Sequence, residues 1–242
     1  DINLANFKST NLALQKVQLK GDVQNNIITY NATTKDEKDA TKFLIAGTLK
    51  KVGDISRLSL NPDGLKLNYA DWQVGSGNFI EFGKNGINAQ NFTLSNSGSE
   101  IMVQSESTSP NSPLNVTLKD FKIETITELI KKDSLLAKGT INGTAQIRDL
   151  GKSPMITSDL NITDLIVYGS PIGNMAVKVK NVSPKVLQAD INLTGNNNDL
   201  KLAGTYNMDT SGLDMILNMN RLEMKSVQGF SLNSIENAEG YL

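Results

Sequence analysis

Apolar and polar residues alternate with a period of two through nearly the whole chain. Leu114, Val116 and Leu118 form one such run; Leu187, Ala189, Ile191 and Leu193 another; Leu213, Met215, Leu217 and Met219 a third. Successive side chains of a strand point to opposite faces, so each run carries one apolar and one solvated face, as antiparallel sheets do and buried parallel sheets do not. The same period joins Leu58 and Leu60, then Leu65, Leu67 and Tyr69, Ile87 and Ala89, Phe92 and Leu94, and Ile101 and Val103. It returns at Leu160 and Ile162, Leu165 and Val167, Met175, Val177 and Val179, and Leu200 and Leu202.

Turn chemistry separates the runs. Asn61, Pro62, Asp63 and Gly64 predict a tight turn, because proline presets φ and glycine tolerates a positive φ, and so a hairpin between Leu60 and Leu65. Further turns are predicted at Asn85 and Gly86, Asn142 and Gly143, Gly169 to Gly173, Gly195 to Asn198, and Ser211 and Gly212. Their spacing of about 8–12 residues suits an all-β domain. Longer loops are expected at 35–42 and 105–113. The segment 123–137 alone invites a helix, with Ile126, Leu129 and Ile130 at spacings of three and four and Gly139 as a stop.

Composition excludes several functions. The chain has 242 residues, enough to bury a sizeable core, and 24 Lys plus Arg against 25 Asp plus Glu leave a net charge of −1. A nucleic-acid partner is therefore not expected, since no basic excess is present to neutralise phosphates. Cysteine and histidine are both absent, which removes disulfides, thiolate nucleophiles, the usual general base and the commonest metal ligands. No serine has a histidine to activate it, and no enzyme activity, metal or cofactor is expected. The cluster Lys35, Asp36, Glu37, Lys38 and Asp39 mixes signs without an apolar wall and reads as a solvated loop. Asn-x-Ser/Thr sequons begin at Asn31, Asn91, Asn115, Asn142, Asn161, Asn181 and Asn192, but the sequence shows no secretory context for glycosylation. No run of eighteen apolar residues occurs, and the opening around Ile2 and Leu4 reads as cut from a longer protein, which leaves room for an anchor outside the cut.

The chain also resembles itself. An offset of 101 residues places Leu114, Val116, Leu118, Phe121, Ile123, Ile126 and Leu129 on Met215, Leu217, Met219, Leu222, Met224, Val227 and Phe230, and Ala137, Gly139 and Ile141 on Ala238, Gly240 and Leu242. This divides the chain into a β segment at 1–112 that contains Trp72, a repeat unit at 113–214, and the start of a next unit at 215–242.

From Leu114 to Tyr206 the order is an alternating strand, then Gly139, Thr140, Ile141, Asn142 and Gly143, then Ile147, Arg148, Asp149, Leu150, Gly151, Lys152, Ser153 and Pro154. Another strand follows, then Leu200, Lys201, Leu202, Ala203, Gly204, Thr205 and Tyr206. This pattern resembles the C-terminal repeat region of the TamB family, among the AsmA-like proteins of bacterial envelopes. The stretch Ala70, Asp71, Trp72, Gln73 and Val74, continuing through Asn78, Phe79, Ile80, Ile87, Phe92, Thr93 and Leu94, is similar to that family's tryptophan-led segment. The resemblance implies an all-β, elongated, U-shaped sheet of repeated strands with an apolar concave groove and at most one short helix. It implies phospholipid as cargo, the periplasm of a didermal bacterium as location, an inner-membrane anchor outside this chain, and a BamA-like outer-membrane barrel as partner.

The residues themselves lead to a compatible place. A sheet with one apolar face must cover it with a second sheet, a helix or a ligand, and helices are nearly missing. The expected groove residues are Leu58, Leu60, Leu65, Leu67, Ile87, Phe92, Leu94, Ile101, Val103, Leu114, Val116, Leu118, Ile162, Val177, Val179, Ala189, Ile191, Leu193, Leu200, Leu202, Leu213, Met215, Leu217 and Met219. Three alternatives stand beside this one. A closed β-sandwich would leave no ligand space. A structural stalk of stacked β units, as in an adhesin, would show the same repeats. A chaperone of outer-membrane protein assembly would pair an exposed sheet edge with a client strand.

Overall fold

A computed structural model describes residues 1–8, 13–84, 86–130, 136–150, 153–230 and 239–241. The protein is all-β, with its strands in one 17-stranded antiparallel sheet. The strands are β1 (Ile2–Lys8), β2 (Ala13–Gln24), β3 (Ile27–Lys35), β4 (Thr41–Val52), β5 (Ile55–Leu67), β6 (Ala70–Val74), β7 (Phe79–Gly83), β8 (Gly86–Gln90) and β9 (Phe92–Asn96). There follow β10 (Ser99–Ser105), β11 (Leu114–Lys122), β12 (Ala137–Arg148), β13 (Met155–Val167), β14 (Ser170–Ser183), β15 (Val186–Gly195), β16 (Asn198–Asn207) and β17 (Gly212–Arg221). Each strand pairs with its chain neighbour from β1 to β6. At β6 the sheet jumps to β9 and then runs in order to β17, while the start of β5 carries β7, and β7 carries β8.

Two-residue hairpins with both φ positive close at Asn25 and Asn26, Asn68 and Tyr69, Ser97 and Gly98, Tyr168 and Gly169, and Asn196 and Asn197. Their backbone matches the right-handed twist of the flanking strands, and asparagine enters that region more readily than other side chains do.

Three sequence expectations are corrected. Asn61, Pro62, Asp63 and Gly64 make no hairpin, because they lie inside β5. Gly47 pairs with Leu60 and Ile45 with Leu65, so the extra residues of β5 swell into a bulge and the strand resumes its direction. A side chain on Gly64 would sit 2.4 Å from the Ala46 carbonyl oxygen, so glycine serves close approach there rather than reversal. Asn142 and Gly143 likewise lie inside β12. Helices number two among the described residues, α1 (Glu124–Ile130) and α2 (Met224–Phe230), where at most one was expected. The part of the predicted helix at 131–135 and the Asn85 half of the predicted turn lie outside the described residues.

The sheet curls around a small core. Leu60, Leu65, Trp72, Val74 and Phe121 are buried together. Trp72 is on β6 and Phe121 on β11, with β9 and β10 between them. Strands three places apart in a flat sheet would stand about 14 Å from each other. The two rings have centroids 6.1 Å apart and are tilted by 53°, so the sheet bends toward the face that carries them. Asn78 secures one end of this core. Its amide nitrogen donates to the carbonyls of Leu60 and Gly75, each at 2.8 Å, and its oxygen accepts the Leu60 N–H at 2.8 Å. Replacement Asn78→Ala orphans both buried groups of Leu60 and is expected to cost about 1–3 kcal/mol, read as a lower urea midpoint at unchanged slope.

Candidate functional site

Residues paired across an antiparallel ladder project to the same side, so the register assigns every strand position to a face. One row runs Leu94, Ile101, Leu118, Gly143, Leu160, Val177, Ile191, Leu202 and Leu217, one residue per strand from β9 to β17. A second, alongside it, runs Phe92, Val103, Val116, Ala145, Ser158, Val179, Ala189, Gly204 and Met215. A third holds Ile141, Ile162, Met175, Leu193, Leu200 and Met219. Leu213 faces Tyr206, and Tyr206 faces Leu187, on the far side of the second row. Through Val74 opposite Leu94, and Trp72 opposite Leu65, the same face continues to Leu67 and Leu60, and on to Leu58, Ile80, Ala89 and Ile87. All the groove residues expected from the sequence therefore share one face.

On β12, β13, β15 and β16 the second row holds small side chains, with Val179 of β14 standing between them. Ala145, Ser158, Ala189 and Gly204 lie beside Leu160, Ile191 and Leu202 on one flank and Ile147, Ile156 and Leu187 on the other. Two short low stretches result, Ala145 with Ser158 and Ala189 with Gly204, on either side of Val179. Gly204 has φ +157, and a Cβ there would meet the Asp214 carbonyl oxygen at 2.1 Å, so close strand approach keeps this position bare.

The face is used differently along its length. Leu60 and Leu65, expected as groove contacts, are 8% and 5% exposed and belong to the core. Leu67, Phe92, Leu94, Ile101 and Leu118 pack against that core. From β12 onward the same face is more open, except at the end where Leu165, opposite Gly173, is 5% exposed. The substantial backbone contacts of β12 to β17 are with their lateral neighbours and the two short helices. Val177, Ile191, Leu193 and Leu202 are half-buried, while Leu213 and Leu217 are 70% and 59% exposed. The exposure of Leu213 and Leu217 leaves the β17 end of this face open to solvent.

The opposite face is polar and has its own hollow, a cleft of about 850 Å³ lined by Gln104, Asn115, Thr144, Asp159, Lys178 and Lys180 among others. A twisted sheet is saddle-shaped, so each face is concave along one diagonal. Several polar groups of this cleft are paired. Lys178 pairs with Asp159 at 2.9 Å, and the Gln146 amide donates to Glu106 at 2.8 Å and to Asn115 at 3.1 Å. The Asp159 carboxylate holds the Lys178 ammonium pKa above its ordinary value.

At the 35–42 loop, Asp36 accepts a hydrogen bond from the Tyr69 hydroxyl at 2.9 Å and from the N–H groups of Ala40 and Lys38, both at 2.9 Å. These bonds, the hydroxyl first, hold its carboxyl below the usual carboxylate range. Among the described residues no cluster of three or more Asp or Glu could hold a metal ion. No described helix is long and apolar enough to cross a membrane.

Comparison with protein-family models, with curated proteins and with solved structures found no match.

Sequence reasoning missed several residues of the apolar face. Ile147, Ile156, Tyr206 and the small row Ala145, Ser158 and Gly204 become visible only through the cross-strand register. Phe121 carried a signal, since it is among the residues that the 101-residue offset aligns, opposite Leu222.

Proposed function

We propose that this chain is a segment of a lipid-guiding bridge, in which phospholipid acyl chains lie on the apolar face between β12 and β17 while the headgroup stays in water at the rim. One observation carries the reading: apolar rows cross the strands there and open to solvent toward β17, where Leu213 and Leu217 are 70% and 59% exposed. Leu, Ile, Val and Met dominate these rows, and flexible branched or thioether side chains suit acyl chains better than flat rings. Burying a methylene gains about 0.8 kcal/mol, so a sixteen-carbon tail gains on the order of 12 kcal/mol on leaving water. Apolar contact has no direction, so the gain changes little from one register to the next. A tail held against this face by apolar contact can still slide along the rows.

The TamB-like pattern supports the setting for such a lane, the periplasm between inner and outer membranes, with an anchor outside this chain and a BamA-like barrel as the far partner. The test is lipid extraction from the purified chain followed by mass spectrometry. Co-purified phospholipid, exchangeable with labelled vesicles, is the expected result. A lipid-free protein that takes up none would favour the structural-repeat reading and overturn this one.

A further inference from the structure

We propose that the outer edge of β17 is the seat of one further antiparallel strand, which begins at Tyr241 and brings β12-like chemistry to the sheet. The inference stands apart from the lipid reading and concerns only how the sheet is extended.

An edge strand directs half of its N–H and C=O groups away from the sheet, and proteins protect such edges with charge, proline, bulges or brevity. β17 has little of that protection. Between Leu213 and Asn220 the only charged residue is Asp214, no proline occurs, and the register with β16 is regular from Leu200 to Asn207. Leu213, Ile216 and Leu217 are more than half exposed. Among the described residues no strand pairs with this edge.

The structure also contains the same arrangement with the seat filled. On β11 the partner is β12, which enters with Lys122 opposite Thr140 and with the Ile123 N–H bonded to the Gly139 carbonyl at 3.0 Å. At an offset of 101 residues, Glu223 stands opposite Tyr241 in an antiparallel bridge, and the Met224 N–H bonds to the Gly240 carbonyl at 2.9 Å. A seven-residue helix follows the strand in both places. The chain thus re-enters beside β17 at the position, and with the two contacts, that begin the β11–β12 pairing. The occupant that fits is a strand of alternating apolar residues running antiparallel to β17, with its apolar side on the face of Met215 and Leu217.

The test appends a copy of residues 142–148 after Leu242, the counterpart of Ile141, and follows hydrogen exchange of the β17 amides. A control chain carries the same tail with two prolines, which cannot supply the ladder donors. The outward amides of β17 are expected to exchange at least about tenfold more slowly with the copied tail than with the control, while β13 amides stay unchanged. Equal exchange in the two chains would overturn the proposal. So would protection of the unextended chain that rises with protein concentration, which would make a second copy the occupant. A free peptide of residues 137–148 protecting the edge as well as the tethered tail does would overturn the assignment to a strand in the same chain.

Discussion

Leu193→Asp and Leu217→Asp are expected to strip phospholipid from the purified protein, while Lys178→Asp on the polar face leaves lipid content unchanged. Leu193 lies in the third apolar row and Leu217 in the first, both beyond the closed core. A carboxylate there keeps its water, so at least about two methylenes of a passing tail lose apolar contact, worth roughly 1.6 kcal/mol or somewhat more than tenfold in occupancy. Leu217 is 59% exposed and Leu193 only half-buried, so a carboxylate at either position reaches water and folding should persist, which circular dichroism checks. Val116→Asp should act in the same direction, with a larger cost to folding because Val116 is half-buried nearer the core. Lipid content that falls equally in the Lys178 variant would mean loss of general integrity rather than a blocked lane. Unchanged lipid in the Leu193 and Leu217 variants would remove the lane from the mechanism.

Trp72→Ala is the second large effect, expected to lower stability by about 3–5 kcal/mol, enough to abolish a folded baseline in urea for a marginal sheet protein. Trp72 is 3% exposed and touches strands that the sheet curvature brings together. Removing the indole leaves a hole that only uncurling could fill. The indole Nε1 has no hydrogen-bond partner, so Trp72→Phe forfeits volume without breaking a polar contact and should cost less than half as much. Comparable losses in the two variants would indicate that the nitrogen matters more than the ring packing.

Much of the architecture was legible in the sequence because a period of two has one physical meaning and repeats along the chain. The runs around Leu114, Leu187 and Leu213 became β11, β15 and β17, and the Gly195 to Asn198 and Ser211–Gly212 signals became hairpin turns. Turn residues misled where their chemistry has two uses. Gly64 and Gly143 allow a reversal, and they equally allow a neighbouring backbone to come close inside a long strand; only the partner strand decides. The second helix was within reach, since the 101-residue offset carries α1 onto α2. Leu60 and Leu65 show what alternation leaves open. It assigns a side chain to a face, while curvature, set by where Trp72 and Phe121 meet, decides whether that face is closed or open at a given strand.

The pairing order carries a consequence for how the molecule is made. Nearly every strand bonds to the strand just synthesised, the step from β6 to β9 being an exception. Loop-closure cost is therefore small at each addition, and ordering can advance by successive zipping from either end without waiting for distant partners. A sheet assembled this way can be lengthened or shortened by whole units with little rearrangement of what is already in place.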